Sequence, residues 1–328
     1  MPEFSSWERV VGNIPQSDRD EILREGKDRF GDQYFEGLRG AEREKTPEEM
    51  QIISLANEMT NKMRLKYDLE RFDIPPENIH IIVEEKWPKE ESAGFFNLTA
   101  QSIFVCEKSS YIAFAKIVFH EMTHFKSYTA VQITQEEQPR FQAYRLGLTV
   151  QTRDGQKEYF RNINEAITEE LTKRFINESL ENSLFVEEVN KTRDVKERYP
   201  HTRTSSGEIL FNEDVFYAEI RHKIQEDGME ALSENVKNSN LEISTENFTY
   251  RQERQILHIL IDALYTKNPD MFQDREEVFE IFAKGMITGN ILPVGRLIDT
   301  TFGKGTFRRI GDLDKDIQKQ EEFVRSLL

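Results

Sequence analysis

The segment His120-Glu121-Met122-Thr123-His124 combines residue types and spacing that can do chemistry. On a helix, positions i and i+4 lie one turn apart on one face, so both imidazoles can reach a single metal ion from one rigid element. The carboxylate between them is placed to take a proton from a water that such a metal acidifies and to hand it to a leaving amine. Ile117, Val118 and Phe119 precede the segment and Phe125 follows it. That flank implies a buried helix, in contrast to a solvated one carrying two exposed histidines, and burial would strengthen ligation and keep bulk water out.

A tetrahedral catalytic metal takes three protein ligands and keeps a fourth position open. Cys106 is the only cysteine, so a thiolate zinc knuckle and an intramolecular disulfide framework are excluded, and ligands must come from His, Asp and Glu. Asn164-Glu165-Ala166-Ile167-Thr168-Glu169-Glu170 supplies candidates. Glu165 and Glu169 share a helical face, so one can bind the metal while the other accepts the second ring N–H of a histidine. An isolated pair at this spacing would ordinarily be a solvated helix face.

With both segments in view, the chain resembles the gluzincins, the zinc peptidases typified by thermolysin and its smaller relatives. The second segment looks like that family's Asn-Glu-Ala-Ile-Ser-Asp helix, and the resemblance spans about residues 79 to 180. It implies Zn2+ as cofactor, a peptide or protein as substrate, and Glu121 as the base. It also implies Glu165 as third ligand and Glu169 as partner of the first histidine, one methylene longer than the family's aspartate. In that family an edge strand just ahead of the active-site helix binds substrate backbone, and Asn97 to Val105 sits in the corresponding place. The family also uses a Tyr or His to stabilise the transition state; Tyr250 and His258 are the candidates, against the plainer reading of a packed aromatic and a structural histidine.

The elements that must position these residues point to an α+β arrangement, a small sheet packed on the two motif-bearing helices within a predominantly helical chain. Residues 1–75 read as a polar helical segment with a start at Thr46-Pro47-Glu48-Glu49, a capping box with proline in the first turn. Residues 76–182 form the expected catalytic core. There Ile79-His80-Ile81-Ile82-Val83, Gly94 to Leu98 and Ser102 to Cys106 are strand-like, and a serine cap at Lys108-Ser109-Ser110 opens the helix of His120. Tyr144 to Val150 and Lys157 to Phe160 flank Arg153-Asp154-Gly155 as a hairpin, and the glutamate helix runs from Asn162 to about Glu181. Residues 183–328 read as helical and as completing the cleft, with the firmest helix at Arg251 to Leu264.

Composition narrows the partners. Forty-four Lys and Arg against 60 Asp and Glu give a net charge of −16, the wrong sign for a nucleic-acid or membrane-surface binder. The N-terminal residues lack the charged and apolar regions of a signal peptide, and no long apolar run appears, so the expected location is cytoplasmic. Gly303-Lys304-Gly305-Thr306 lacks phosphate-loop spacing and reads as a helix terminus. His80, His201 and His222 have no ligand-spaced partner. Two rivals remain. Glu121-Met122-Thr123-His124 and Glu219-Ile220-Arg221-His222 are both Glu-x-x-His segments, the spacing of ferritin-like di-iron bundles, although the strands ahead of residue 110 do not suit a bundle. A catalytically silent helical scaffold with a structural zinc site is the other.

Overall fold

The computed structural model describes residues 7–12, 14–28, 40–88, 92–98, 100–133, 141–204, 206–222 and 241–328. In chain order the elements are β1 (Arg9–Val11), α1 (Gln16–Asp28), β2 (Glu42–Arg43), α2 (Pro47–Lys66), β3 (Ile79–Ile82), β4 (Gly94–Asn97), β5 (Ser102–Cys106) and α3 (Tyr111–Lys126). Then follow β6 (Thr129–Ile133), β7 (Phe141–Leu146), β8 (Thr149–Gln151), β9 (Glu158–Tyr159), α4 (Arg161–Ser179) and α5 (Val186–Arg198). The chain finishes with β10 (Val215–His222), β11 (Leu241–Asn247), α6 (Arg251–Lys267), α7 (Arg275–Thr288), α8 (Leu292–Phe302), α9 (Thr306–Asp312) and α10 (Ile317–Arg325). Small mixed sheets packed against helices make this an α+β fold.

Local chemistry sets the element ends. Thr46 Oγ1 accepts from the Glu49 amide at 3.2 Å and the Glu49 carboxylate accepts from the Thr46 amide at 2.8 Å, the reciprocal pair expected of the capping box that opens α2. Ser110 caps α3 by accepting from the Ala113 amide at 3.1 Å. Glu188 of α5 adds a second cap from far along the chain, accepting from Ser110 Oγ and from the Tyr111 and Ile112 amides at 2.8 to 2.9 Å. Every residue of α3 from Ile112 to Lys126 is buried, so this helix is enclosed on all sides.

The sheet that supports α3 runs β2-β3-β5-β4. β3 and β5 are parallel, whereas β2 and β4 pair antiparallel at the two edges. The expectation of an edge strand at Asn97 to Val105 is corrected by this order. β5 is an interior strand with every residue buried, because its run of apolar residues has neighbours on both sides, and the edge is β4. A second sheet runs β1-β6-β7-β8-β9. Its β8 and β9 form the hairpin expected around Asp154-Gly155, but Tyr144 to Leu146 belong to a separate strand, β7. The break falls at Gly147, whose φ of 57° suits glycine and where a Cβ would lie 2.3 Å from Asn164 Oδ1.

Two regions expected to be helical contain strands. β1 and β2 lie within the first 75 residues, and β10 and β11 pair antiparallel within the last third. Leu241-Glu242-Ile243-Ser244-Thr245-Glu246 alternates with period two, a strand signal that its glutamates disguise. Among the described residues no helix is long and apolar enough to cross a membrane.

Helix α4 joins two apolar cores. Phe175 and Ile176 enter the core formed by α2, β3, β5 and α3, where Phe119 and Phe175 stack at 4.1 Å. Ile163, Ala166 and Ile167 enter the core of α6 and α7, with Ile256, Leu260, Phe282 and Met286. Lys126, at the end of α3, is wholly buried beneath the first core. Its Nζ donates to Asn57 O at 3.3 Å and Asn61 Oδ1 at 3.2 Å and sits 5.2 Å from the centre of the Phe72 ring. Burial pushes its pKa down to about 7 from 10.5.

Because the folded value lies below the unfolded one, folding releases a proton from Lys126 between those two pH values. The resulting destabilisation is complete below pH 7 and vanishes above pH 10.5. Lys126→Met is therefore expected to gain stability over wild type by about 3–5 kcal/mol at pH 6, with the gap closing as pH approaches 10. Urea unfolding across this range measures it, and a gap that does not change with pH would refute the assignment.

Candidate metal centre

α3 supplies His120, Glu121 and His124, and α4 crosses it to supply Glu165 and Glu169. His120 Nε2 and His124 Nε2 are 3.2 Å apart, and Glu165 Oε2 lies 3.2 Å from the second and 3.4 Å from the first. These three residues could hold a metal ion. Ligand atoms about 2.05 Å from a tetrahedral centre are about 3.3 Å apart, so the observed triangle has the edges of one face of such a site. Among the described residues the group is two imidazole nitrogens and one carboxylate oxygen, converging within 4.8 Å of one another. The donor set thus fits a divalent metal of borderline character.

The two histidines are braced differently. His120 Nδ1 donates to Glu169 Oε2 at 2.8 Å, which turns Nε2 toward Glu165 and His124. His124 Nδ1 is buried with no hydrogen-bond partner, so only its Nε2 side is engaged. Burial lowers the pKa of His120, but its hydrogen bonds to Glu165 and Glu169 outweigh it and raise the value to about 9. Burial works to raise the pKa of Glu165, and the charge of His124 with hydrogen bonds from both imidazoles holds it well below the usual carboxylate range. Histidines and carboxylates together form a pocket of potential that favours a cation.

Glu121 faces the β4 side. Its Oε2 accepts from the Phe96 amide at 2.8 Å. β4 can approach this closely because residue 94 is glycine: a Cβ there would stand 2.4 Å from Ile117 Cγ2 and 3.3 Å from Glu121 Cγ. The Phe96 ring packs on Phe125 at 4.6 Å, which fixes the strand on the helix.

Of the two candidates on α6, the structure brings Tyr250 to the cluster. Its ring stacks on that of His120 at 5.7 Å and 10°. Tyr250 has φ 54° and ψ 39°, a left-handed conformation uncommon for a bulky residue, immediately before α6. The loop is pinned on both sides of Thr249: its amide donates to Glu169 Oε1 at 2.6 Å and its carbonyl accepts from Arg254 Nε at 3.1 Å. Burial, then the charges of Glu165, Glu121 and Glu169, push the Tyr250 hydroxyl pKa far upward, so it remains a neutral donor. His258 lies two turns along α6 with its side chain 55% exposed, and Nε2 meets Glu170 at 3.2 Å. It does not join the His120 group.

Four contributors had not been anticipated: the Phe96 amide, Lys116, Thr249 and Arg254. Lys116 did leave a signal, a lone charge in the apolar run from Ile112 to Phe119, one turn from His120. The Glu219-Ile220-Arg221-His222 segment lies on strand β10 and not on a helix, so it does not supply the helical Glu-x-x-His spacing of a di-iron bundle. Gly303 to Thr306 joins α8 to α9, as a helix terminus. His80 stacks on Phe104 and pairs with Glu42, and Cys106 is buried at the end of β5.

No protein-family model, curated protein or solved structure matches this chain, so the site rests on its own geometry. That geometry ranks the two glutamates. Glu165→Ala is expected to weaken metal affinity by more than about 100-fold and Glu169→Ala by about 10–100-fold, as for a ligand and for an outer partner. Competition titration with zinc against a chromophoric chelator gives both numbers; the reverse order would place the ligand one turn later.

Proposed function

We propose that the chain is a zinc-dependent peptidase of the gluzincin type, with His120, His124 and Glu165 as ligands. The observation that carries this reading is the triangle of ligand atoms with tetrahedral edges, beside a carboxylate tethered to the edge strand. A bound zinc ion would act as Lewis acid and acidify water at the open position. Glu121 is the base that takes the proton, and its contact with the Phe96 amide keeps it from swinging out of the cluster. Tyr250, neutral and stacked on His120, is the donor for negative charge developing on the substrate carbonyl.

The substrate argument comes from β4. In its antiparallel pairing with β5, the Cys106 amide bonds to Ala93 O at 2.8 Å, so alternation turns the Phe96 carbonyl toward the open edge, while Glu121 holds the Phe96 amide and Ser92 the main-chain groups of Gly94. An extended peptide could donate to that carbonyl, next to Glu121. An acidic surface suits such a substrate better than a nucleic acid.

Glu121→Gln is expected to bind zinc with unchanged stoichiometry while cleavage of an unstructured peptide library falls by at least about a thousandfold. Metal analysis and mass spectrometry of the digest measure the two effects. Zinc-loaded wild type that cleaves no peptide would replace this reading with a structural zinc site in a silent scaffold. Purified protein carrying stoichiometric iron and no zinc would replace it with oxidative metal chemistry.

A further inference from the structure

α3 is apolar from Ile112 to Phe119 except at one position, Lys116, and that lysine is buried. Burying an ammonium is costly unless it is paired and hydrogen-bonded. Lys116 Nζ donates to Glu169 Oε1 at 2.9 Å and to Thr249 Oγ1 at 3.0 Å. Glu169 has no exposed surface. Its two oxygens are used differently: Oε2 accepts from His120 Nδ1 at 2.8 Å, while Oε1 collects Lys116 Nζ, the Thr249 amide at 2.6 Å and Thr249 Oγ1 at 3.0 Å.

The glutamate side chain has one more rotatable bond than an aspartate would have in this place, so something must stop it from rotating. Three donors on one oxygen do so, and with Oε1 fixed the other oxygen stays on His120. We propose that Lys116 is a positioning residue for the metal centre, acting through Glu169 to hold His120 with Nε2 turned toward His124 and Glu165. The inference rests on the metal-binding reading of those three residues, and it adds the cation that balances the glutamate behind them. The same oxygen also holds the Thr249 amide, so the residue before Tyr250 and the first metal ligand share one anchor.

The test compares full-length wild type with Lys116→Met, Glu169→Gln and the double variant. Zinc affinity is read by chelator competition, folding by circular dichroism, and the His120 ring N–H by its low-field proton resonance. Lys116→Met is expected to keep the fold, weaken zinc binding by about 10–100-fold and broaden or shift that resonance. In the Glu169→Gln background the same change is expected to alter affinity by less than about threefold, since the group through which Lys116 acts is already altered. If Lys116→Met does not fold, Lys116→Gln, which retains a neutral donor, is expected to give a smaller loss of the same kind.

Unchanged affinity in Lys116→Met, or equal losses in both backgrounds, would overturn the proposal while leaving the metal site intact. Wild type that binds no zinc would overturn the metal reading itself, and this role with it.

Discussion

A carboxylate with no exposed surface must be answered by donors on every side, and the answer to Glu169 involves three separated parts of the chain. α3 contributes His120 and Lys116, the loop ahead of α6 contributes Thr249, and α4 carries the glutamate itself. The apolar contacts around this node supply adhesion, with Phe119 stacked on Phe175 and Ile163 and Ile167 packed against α6 and α7. Adhesion of that kind tolerates sliding. The node does not, because moving α4 along α3 by one turn would separate Glu169 from both His120 and Lys116. Buried polar groups of this sort have their best-attested role in fixing register, and here the register decides whether Glu165 reaches the two imidazoles.

Charge makes the same arrangement receptive to a cation. Glu121, Glu165 and Glu169 stand close to His120 and Tyr250, and Lys116 balances only one of them directly. Hydrogen bonds to Glu165 and Glu169 raise the proton affinity of His120, and burial, with the nearby carboxylate charges added to it, keeps the Tyr250 hydroxyl protonated. A divalent ion among the ligands would relieve what a single proton relieves only in part.

The legible part of the site was its local part. His120 and His124 are one turn apart, Glu165 and Glu169 are one turn apart, and helical periodicity is enough to face each pair in one direction. Ser110 and the Thr46 capping box announced helix starts for the same reason, since their partners lie three residues away. Contacts across long stretches of chain left weaker traces. Nothing in the sequence ties Thr249 to Glu169. The alternation of β11 was concealed because its glutamates, Glu242 and Glu246, are four residues apart and suit a solvated helix as well as a strand face. β5 was taken for part of the edge because strand order depends on pairing, which periodicity does not encode.

The long-range contacts also determine how much chain the site requires. The N-terminus of α3, one helix of the pair, is closed by Glu188 of α5. The N-terminus of α4 is closed by Asp314, which accepts from the Arg161 amide at 2.8 Å and the Asn162 amide at 3.1 Å. Phe160, just before that helix, has φ 64° and stacks on Phe307 of α9 at 4.3 Å. Both motif-bearing helices therefore begin against residues that follow them by many positions. The motifs name the candidate ligands, but the angle at which α3 and α4 present them is set by α5, by the Thr249 loop and by the C-terminal helices. A stretch containing only the two motifs would leave helix amides and a buried carboxylate without partners, and the ligand triangle would lose the supports that give it its edges.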